Sequence, residues 1–411
     1  MKDPFSVSET EHPPREQTRM IHPHEGGGQQ ARTAAPVLQR GTTVLLPACG
    51  AFAGPGPTYG RGGLATQTAL RAALCDLEAG EGCVLYPSGL AALSGAILAL
   101  CRAGDEIVMC DTIYAPTRRF VESGLSAYGV SLKLFDPASS PEEIAAGFSE
   151  RTRLLVMESP GSLTLDMLDV PQLAALARAR GVLSLVDNTF AAGVLFKPLE
   201  HGVDVSVQAL TKYVCGHSDV FMGAAVARGE AAAMLRRSAR DVGWTVSSDD
   251  AYLALRGLKT LHTRLARHGA SALEVARWLA DQPRVAEVLC PALPGARGHA
   301  LFARDYAGTN GLVTVVLDGP MAATSAFLDS LALFGLGFSW GGFESLAIPC
   351  NDQLAQRQTG ARWPQPVIRL HVGLEATADL IAELDQALAR FEAACAASDT
   401  HTTPARARVA R

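Results

Sequence analysis

The sequence predicts an α/β protein, with a large, mostly parallel sheet covered on both faces and a smaller C-terminal α+β domain. Three observations carry this reading. Near-continuous apolar runs of strand length alternate with amphipathic helix patterns up to residue 228, as expected for strands buried on both faces. The grain changes after about residue 260, where a long helix pattern leads to short strands and a last helix. At 411 residues, 48% apolar and 19% charged, the chain is long enough for two domains and at least one large core.

Taken in order, "AALSGAILALC" (91–101) suits a buried helix that starts at Ser88 or Gly89. "EIVMCD" (106–111) and "RLLVMES" (153–159) read as strands. "PQLAALARARG" (171–181) is a helix closed by glycine, and "LSLVDNT" (183–189) is the next strand. "DVSVQAL" (204–210) and "GAAVAR" (223–228) complete this series of strands. Beyond residue 260, "RLARHGASALEVARWLAD" forms a long helix pattern, "LVTVVLD" and "VIRLHV" form strands, and a helix near 376–394 closes the domain. Residues 1–35, with "EHPPREQ" and "HPHEGGGQQ", read as a disordered tail, and residues 397–411 as a second one.

Composition excludes several classes. A net charge of -5 offers no basic field to nucleic acid or to an anionic membrane. The longest uncharged apolar stretch, Leu90 to Cys101, is too short to span a bilayer, and the first twenty residues lack the apolar core of a secretory signal. Nine cysteines without CxxC spacing read as scattered reduced thiols of a cytosolic protein. His12, His22 and His24 belong to the polar tail, so no metal site is expected. No GxGxxG follows the first strand, which argues against a dinucleotide-binding enzyme.

In open α/β sheets ligands collect beyond the carboxyl ends of the strands. Asp187 closes one strand, Lys212 follows another, and Glu158 ends a third. "YPSGLAAL" (86–93) puts Ser-Gly where helix N-terminal amides could hold a phosphate. Each feature taken singly has an ordinary explanation as a cap, a turn former or a surface loop. Their order is more informative. A phosphate cradle, an acid, and a lysine twenty-five residues later are what pyridoxal phosphate (PLP) requires. The amine forms a Schiff base with the aldehyde, the carboxylate keeps the ring nitrogen protonated, and the helix end faces the phosphate.

The motifs "YGR", "GCVLYPSGLAAL", "ESPGS", "DNTFAAGVLFKPL", "SVQALTKYVCGHSD", "RGLKTL", "PALPG", "FSWGGFESL" and "IRLHVGLE" extend the pattern over residues 36–394. With these motifs the chain resembles the Cys/Met-metabolism family of PLP enzymes, of fold type I (aspartate-aminotransferase-like). The resemblance is strongest to the family's cystathionine β-lyase branch. It implies that Lys212 holds the cofactor, Asp187 faces its ring nitrogen, and Gly89, Leu90 and Thr211 contact its phosphate. Tyr114 would stack on the ring and serve with Lys212 in catalysis. Tyr59 and Arg61, on an arm spanning 36–62, would reach the neighbouring subunit's phosphate, with Tyr59 also near substrate. Arg369 would bind the substrate α-carboxylate, helped by Ser339 and Trp340. The competing account of Arg369 is a structural ion pair. His217, in "GHSD", is read as structural. The implied layout is a PLP-binding domain over 63–260 and a C-terminal domain over 261–396.

Departures from the family pattern refine the expectation. Ala209 replaces a serine three residues before the lysine, "GGLAT" follows "YGR", "SPGSLT" lacks the asparagine of γ-acting members, and "SWGG" brings Trp340. The last three resemble the β-lyase branch. The implied activity is β-elimination of L-cystathionine, and of other cysteine S-conjugates, the former giving L-homocysteine, pyruvate and ammonia in methionine biosynthesis. The alternative is a γ-lyase, γ-synthase or sulfhydrylase of the same family. A cytoplasmic homotetramer built from catalytic dimers is implied.

Overall fold

The computed structural model describes residues 15–21, 34–360 and 363–401, with side chains to residue 397. Seven strands form the first sheet: β1 (Gly82–Tyr86), β2 (Glu106–Cys110), β3 (Ser131–Phe135), β4 (Thr152–Glu158), β5 (Leu183–Asp187), β6 (Val205–Gln208) and β7 (Gly223–Ala227). Their order across the sheet is β1-β7-β6-β5-β4-β2-β3. β7 runs antiparallel to both its neighbours, and the other strands share one direction. The mostly parallel α/β architecture is as expected.

β4 to β7 are buried almost throughout because helices cover both faces. β3 was not expected from sequence. It lies at the sheet edge, and its Ser131 and Lys133 break the apolar run that marks the central strands.

The second sheet comprises β8 (Val285–Leu289), β9 (Leu312–Leu317), β10 (Gly335–Leu336), β11 (Leu346–Pro349) and β12 (Val367–His371), in the order β10-β11-β12-β9-β8. The helix Leu261–Ala280 joins the two bodies. Leu261 and Leu265 pack into the first core, while Ala272, Val275, Ala276 and Leu279 pack into the second.

Two tail boundaries need correction. Glu16–Ile21, expected within a disordered tail, is a helix with Met20 only 2% exposed. Glu16 meets Lys197 and His262, and Arg19 meets Asp76 at 2.9 Å, so a polar segment is anchored by one apolar plug and ion pairs. The last helix, Thr377–His401, runs past the expected boundary at 396, since neither proline nor glycine interrupts it. His12, His22, His24 and the C-terminal arginines lie outside the described residues.

Candidate active site

Because β1, β2, β4, β5 and β6 point the same way, the segments leaving them converge on one edge of the sheet. These segments carry Ser88–Leu90, Tyr114, Glu158, Asp187 and Lys212. β4 and β5 pair Glu158 with Asp187 in register, so two carboxylates stand side by side.

Asp187 Oδ1 accepts from the Thr189 amide at 3.1 Å and the Thr189 hydroxyl at 2.5 Å. Thr189 Oγ1 in turn accepts the Ala209 amide at 2.9 Å, which ties the end of β5 to the chain entering Lys212. Among the described residues nothing donates to Asp187 Oδ2. Burial pushes the Asp187 carboxyl above its usual range, while the Thr189 bonds and Lys212 hold it back. Glu158 is raised further by burial and by Asp187, and its Oε2 accepts the Tyr114 amide at 2.6 Å. The Tyr114 phenol is also raised, by burial and then by the two carboxylates, and stays protonated.

The helix Gly89–Leu100 begins at Ser88, whose hydroxyl accepts the Ala91 amide at 3.0 Å. The Gly89 and Leu90 amides have no acceptor among the described residues. A Cβ on Gly89 would lie 2.4 Å from the Ala209 methyl, so glycine is required where the helix end abuts the segment leading to Lys212. Small side chains on both sides leave a cradle bounded by unspent amides, which fits a phosphate. Thr211 differs from expectation in detail. Its hydroxyl donates to the Met222 carbonyl at 3.1 Å and accepts the Met222 amide at 2.9 Å, so its proton is not aimed at the cradle.

Lys212 Nζ donates to Ser339 Oγ at 2.9 Å and stands 5.4 Å from the Trp340 ring centroid. Burial, followed by the nearby Arg369, pushes the amine down to about 8, against the opposing pull of Asp187. Arg369, 8% exposed on β12, donates to the Ser339 carbonyl at 3.1 Å. It forms no ion pair among the described residues, and its Nε is buried without a partner. A buried guanidinium in that state is costly unless an anion arrives, so the structural-ion-pair account fails and a ligand carboxylate fits.

Tyr59 is 50% exposed, the Arg61 guanidinium sits 5.4 Å from its ring, and no contact among the described residues joins either to Lys212. His217 is exposed, with Nδ1 2.7 Å from the Cys215 carbonyl.

Three supporting residues escaped sequence reasoning. Thr189 sits inside "DNTF" and was legible only as motif. Arg264 binds the carbonyls of Tyr213, Val214 and Gly257, and His371 binds the segment after Trp340. Both reach partners tens of residues away, which no local pattern signals.

A lysine, an aspartate and a helix-end cradle at one edge of the first sheet, with a buried arginine lacking an ion pair reaching them from β12 of the second, fit a fold type I PLP enzyme. The chain belongs to the Cys/Met metabolism PLP-dependent enzymes, whose family model matches residues 17–389. Among its relatives, the cystathionine beta-lyase MetC of Escherichia coli is 43% identical over 340 residues, covering 81% of this chain and 86% of that one. An L-alanine/L-glutamate racemase of Wolbachia pipientis is 38% identical over 337 residues, covering 81% and 83%. The crystal structure of metB from Corynebacterium glutamicum superposes with a TM-score of 0.86 at 31% identity, covering 92% of this chain and 98% of that one.

Proposed function

We propose that the protein is a carbon–sulfur lyase that cleaves L-cystathionine to L-homocysteine, pyruvate and ammonia. One observation carries the reading. The Lys212 amine and the Arg369 guanidinium both bind Ser339, at 2.9 and 3.1 Å, so an amino acid whose carboxylate sits on Arg369 has its Cα beside the lysine. Lys212 would hold PLP, with Asp187 toward the ring nitrogen, the Gly89 and Leu90 amides toward the phosphate, and Tyr114 against the ring face. The bound cofactor supplies an electron-accepting ring that stabilises negative charge at Cα.

Arg369, with Ser339 and Trp340 beside it, orients the substrate so that the Cα–H bond faces Lys212. Freed from the cofactor by the substrate's own amine, the Lys212 amine would take the Cα proton, which an amine titrating at about 8 does more readily than an ordinary lysine. The Cβ–S bond breaks and the thiolate leaves with a proton from Lys212 or from the protonated Tyr114. The released aminoacrylate reacts with water to give pyruvate and ammonia. Tyr59 and Arg61, which no contact among the described residues joins to Lys212, would complete the site of a neighbouring subunit in a tetramer of catalytic dimers. The scattered thiols, seven of nine of them buried, suit a reducing cytoplasm.

The test is product identification with L-cystathionine. Pyruvate with homocysteine is expected. 2-Oxobutyrate with cysteine would move the protein to γ-elimination, and no keto acid from cystathionine together with racemisation of separately added L-alanine would make it a racemase.

A further inference from the structure

The segment that carries Ser339 and Trp340 has few regular backbone bonds, yet it must present two groups to within hydrogen-bonding distance of Lys212 and Arg369. Nearest to Ser339 and Trp340, one of its anchors is a histidine on the strand below. His371 is fully buried on β12, two residues from Arg369 and therefore on the same face of that strand. Its Nε2 accepts the Gly341 amide at 2.9 Å, and its Nδ1 lies 3.0 Å from the Glu344 carbonyl. An amide donor on one nitrogen and a carbonyl acceptor on the other admit a single arrangement: neutral imidazole with the proton on Nδ1. Burial and the neighbouring His268 push the ring well below its usual range, so it stays neutral. The ring packs 5.2 Å from His268 and 6.2 Å from Tyr213.

Gly341 explains why this contact matters. Its φ is +85°, and a Cβ there would come within 2.9 Å of the Lys212 carbonyl carbon and the Tyr213 nitrogen. The segment therefore lies directly on the backbone that carries the lysine, with His371 fixing its height.

We propose that His371 is a positioning residue for the substrate-carboxylate site. By bracing Gly341 and Glu344, it holds Ser339 where the carbonyl meets Arg369 and the hydroxyl meets Lys212. The inference rests on reading Arg369 as the carboxylate holder.

The experiment uses the holoenzyme and L-alanine, which has the amine and carboxylate of the substrate but no leaving group. Its dissociation constant is measured by titration, alongside that of a 2-aminoethyl thioether lacking the carboxylate. His371→Phe keeps the ring volume and removes both polar atoms. It should weaken L-alanine by about tenfold or more, the loss expected when a buried donor goes unpaired, and leave the carboxylate-free amine within about twofold. His371→Gln, whose Oε1 can accept the Gly341 amide, should recover most of the loss. If His371→Phe fails to fold, His371→Asn makes the same comparison, because its short amide cannot reach Gly341. Equal weakening of both ligands, or a Gln variant no better than Phe, would overturn the proposal. An Arg369→Ala enzyme that binds L-alanine like the parent would remove the carboxylate site and the proposal with it. Failure to cleave cystathionine would count against the reaction assignment alone, since the titration needs no elimination.

Discussion

At Lys212 the decisive quantity is the proton on one nitrogen. Removing a lysine from water disfavours its charged form, and Arg369 nearby adds to that, so the amine titrates at about 8 and not at the 10.5 of a free lysine. The sign follows directly. The reactive neutral amine grows as pH rises through that value, and below it the ammonium form dominates. In cofactor-free protein, the rate of reaction with an aldehyde should climb up to about pH 8 and level off above pH 9. A rate still climbing steeply between pH 9 and 10.5 would show an unperturbed lysine. Lys212→Ala should abolish both the long-wavelength absorbance of the resting holoenzyme and its turnover.

Among the elements, the helix Leu261–Ala280 does most to fix the site, since it packs into both cores and carries Arg264. That guanidinium, 7% exposed, donates to the Tyr213, Val214 and Gly257 carbonyls at 2.7, 3.3 and 2.8 Å. Two of its partners, Tyr213 and Val214, immediately follow Lys212, so the turn holding the lysine is stapled to the helix that leads into the second sheet. Hydrogen bonds from charged groups are each worth about 1.5–3 kcal/mol, and buried carbonyls left bare are costly. Arg264→Met should therefore lower unfolding free energy by about 2–4 kcal/mol in denaturant titrations. It should also slow cofactor uptake by the apoprotein. A change under 0.5 kcal/mol would mean the carbonyls find other partners.

For the whole molecule, the arm that carries Tyr59 and Arg61 is conspicuous for exposed apolar side chains. Leu45 is 92% and Phe52 is 69% exposed, a pattern that marks interaction surfaces. If each site draws Lys212 from one subunit and Arg61 from another, two inactive variants can complement each other. Lys212→Ala and Arg61→Ala chains, co-expressed and purified as mixed oligomers, should release keto acid from cystathionine where neither parent does so appreciably. Mixed oligomers as inactive as their parents would place the whole site within one chain.

Sequence by itself determined the alternation of strands and helices, the cluster of strand-end residues, and, through Lys212, Asp187 and Arg369 in their motifs, the family. Burial on both faces writes itself into composition, and chemistry demands particular side chains at particular strand ends. Only the tertiary structure decided that Arg369 lacks a carboxylate partner, that the Thr211 hydroxyl is spent on Met222, and that a helix occupies Glu16–Ile21. The same holds for Thr189, Arg264 and His371 as supports. Such facts depend on which groups from distant parts of the chain arrive within about 3 Å of one another. No local pattern encodes that distance, because it is set by packing the two sheets around a shared helix.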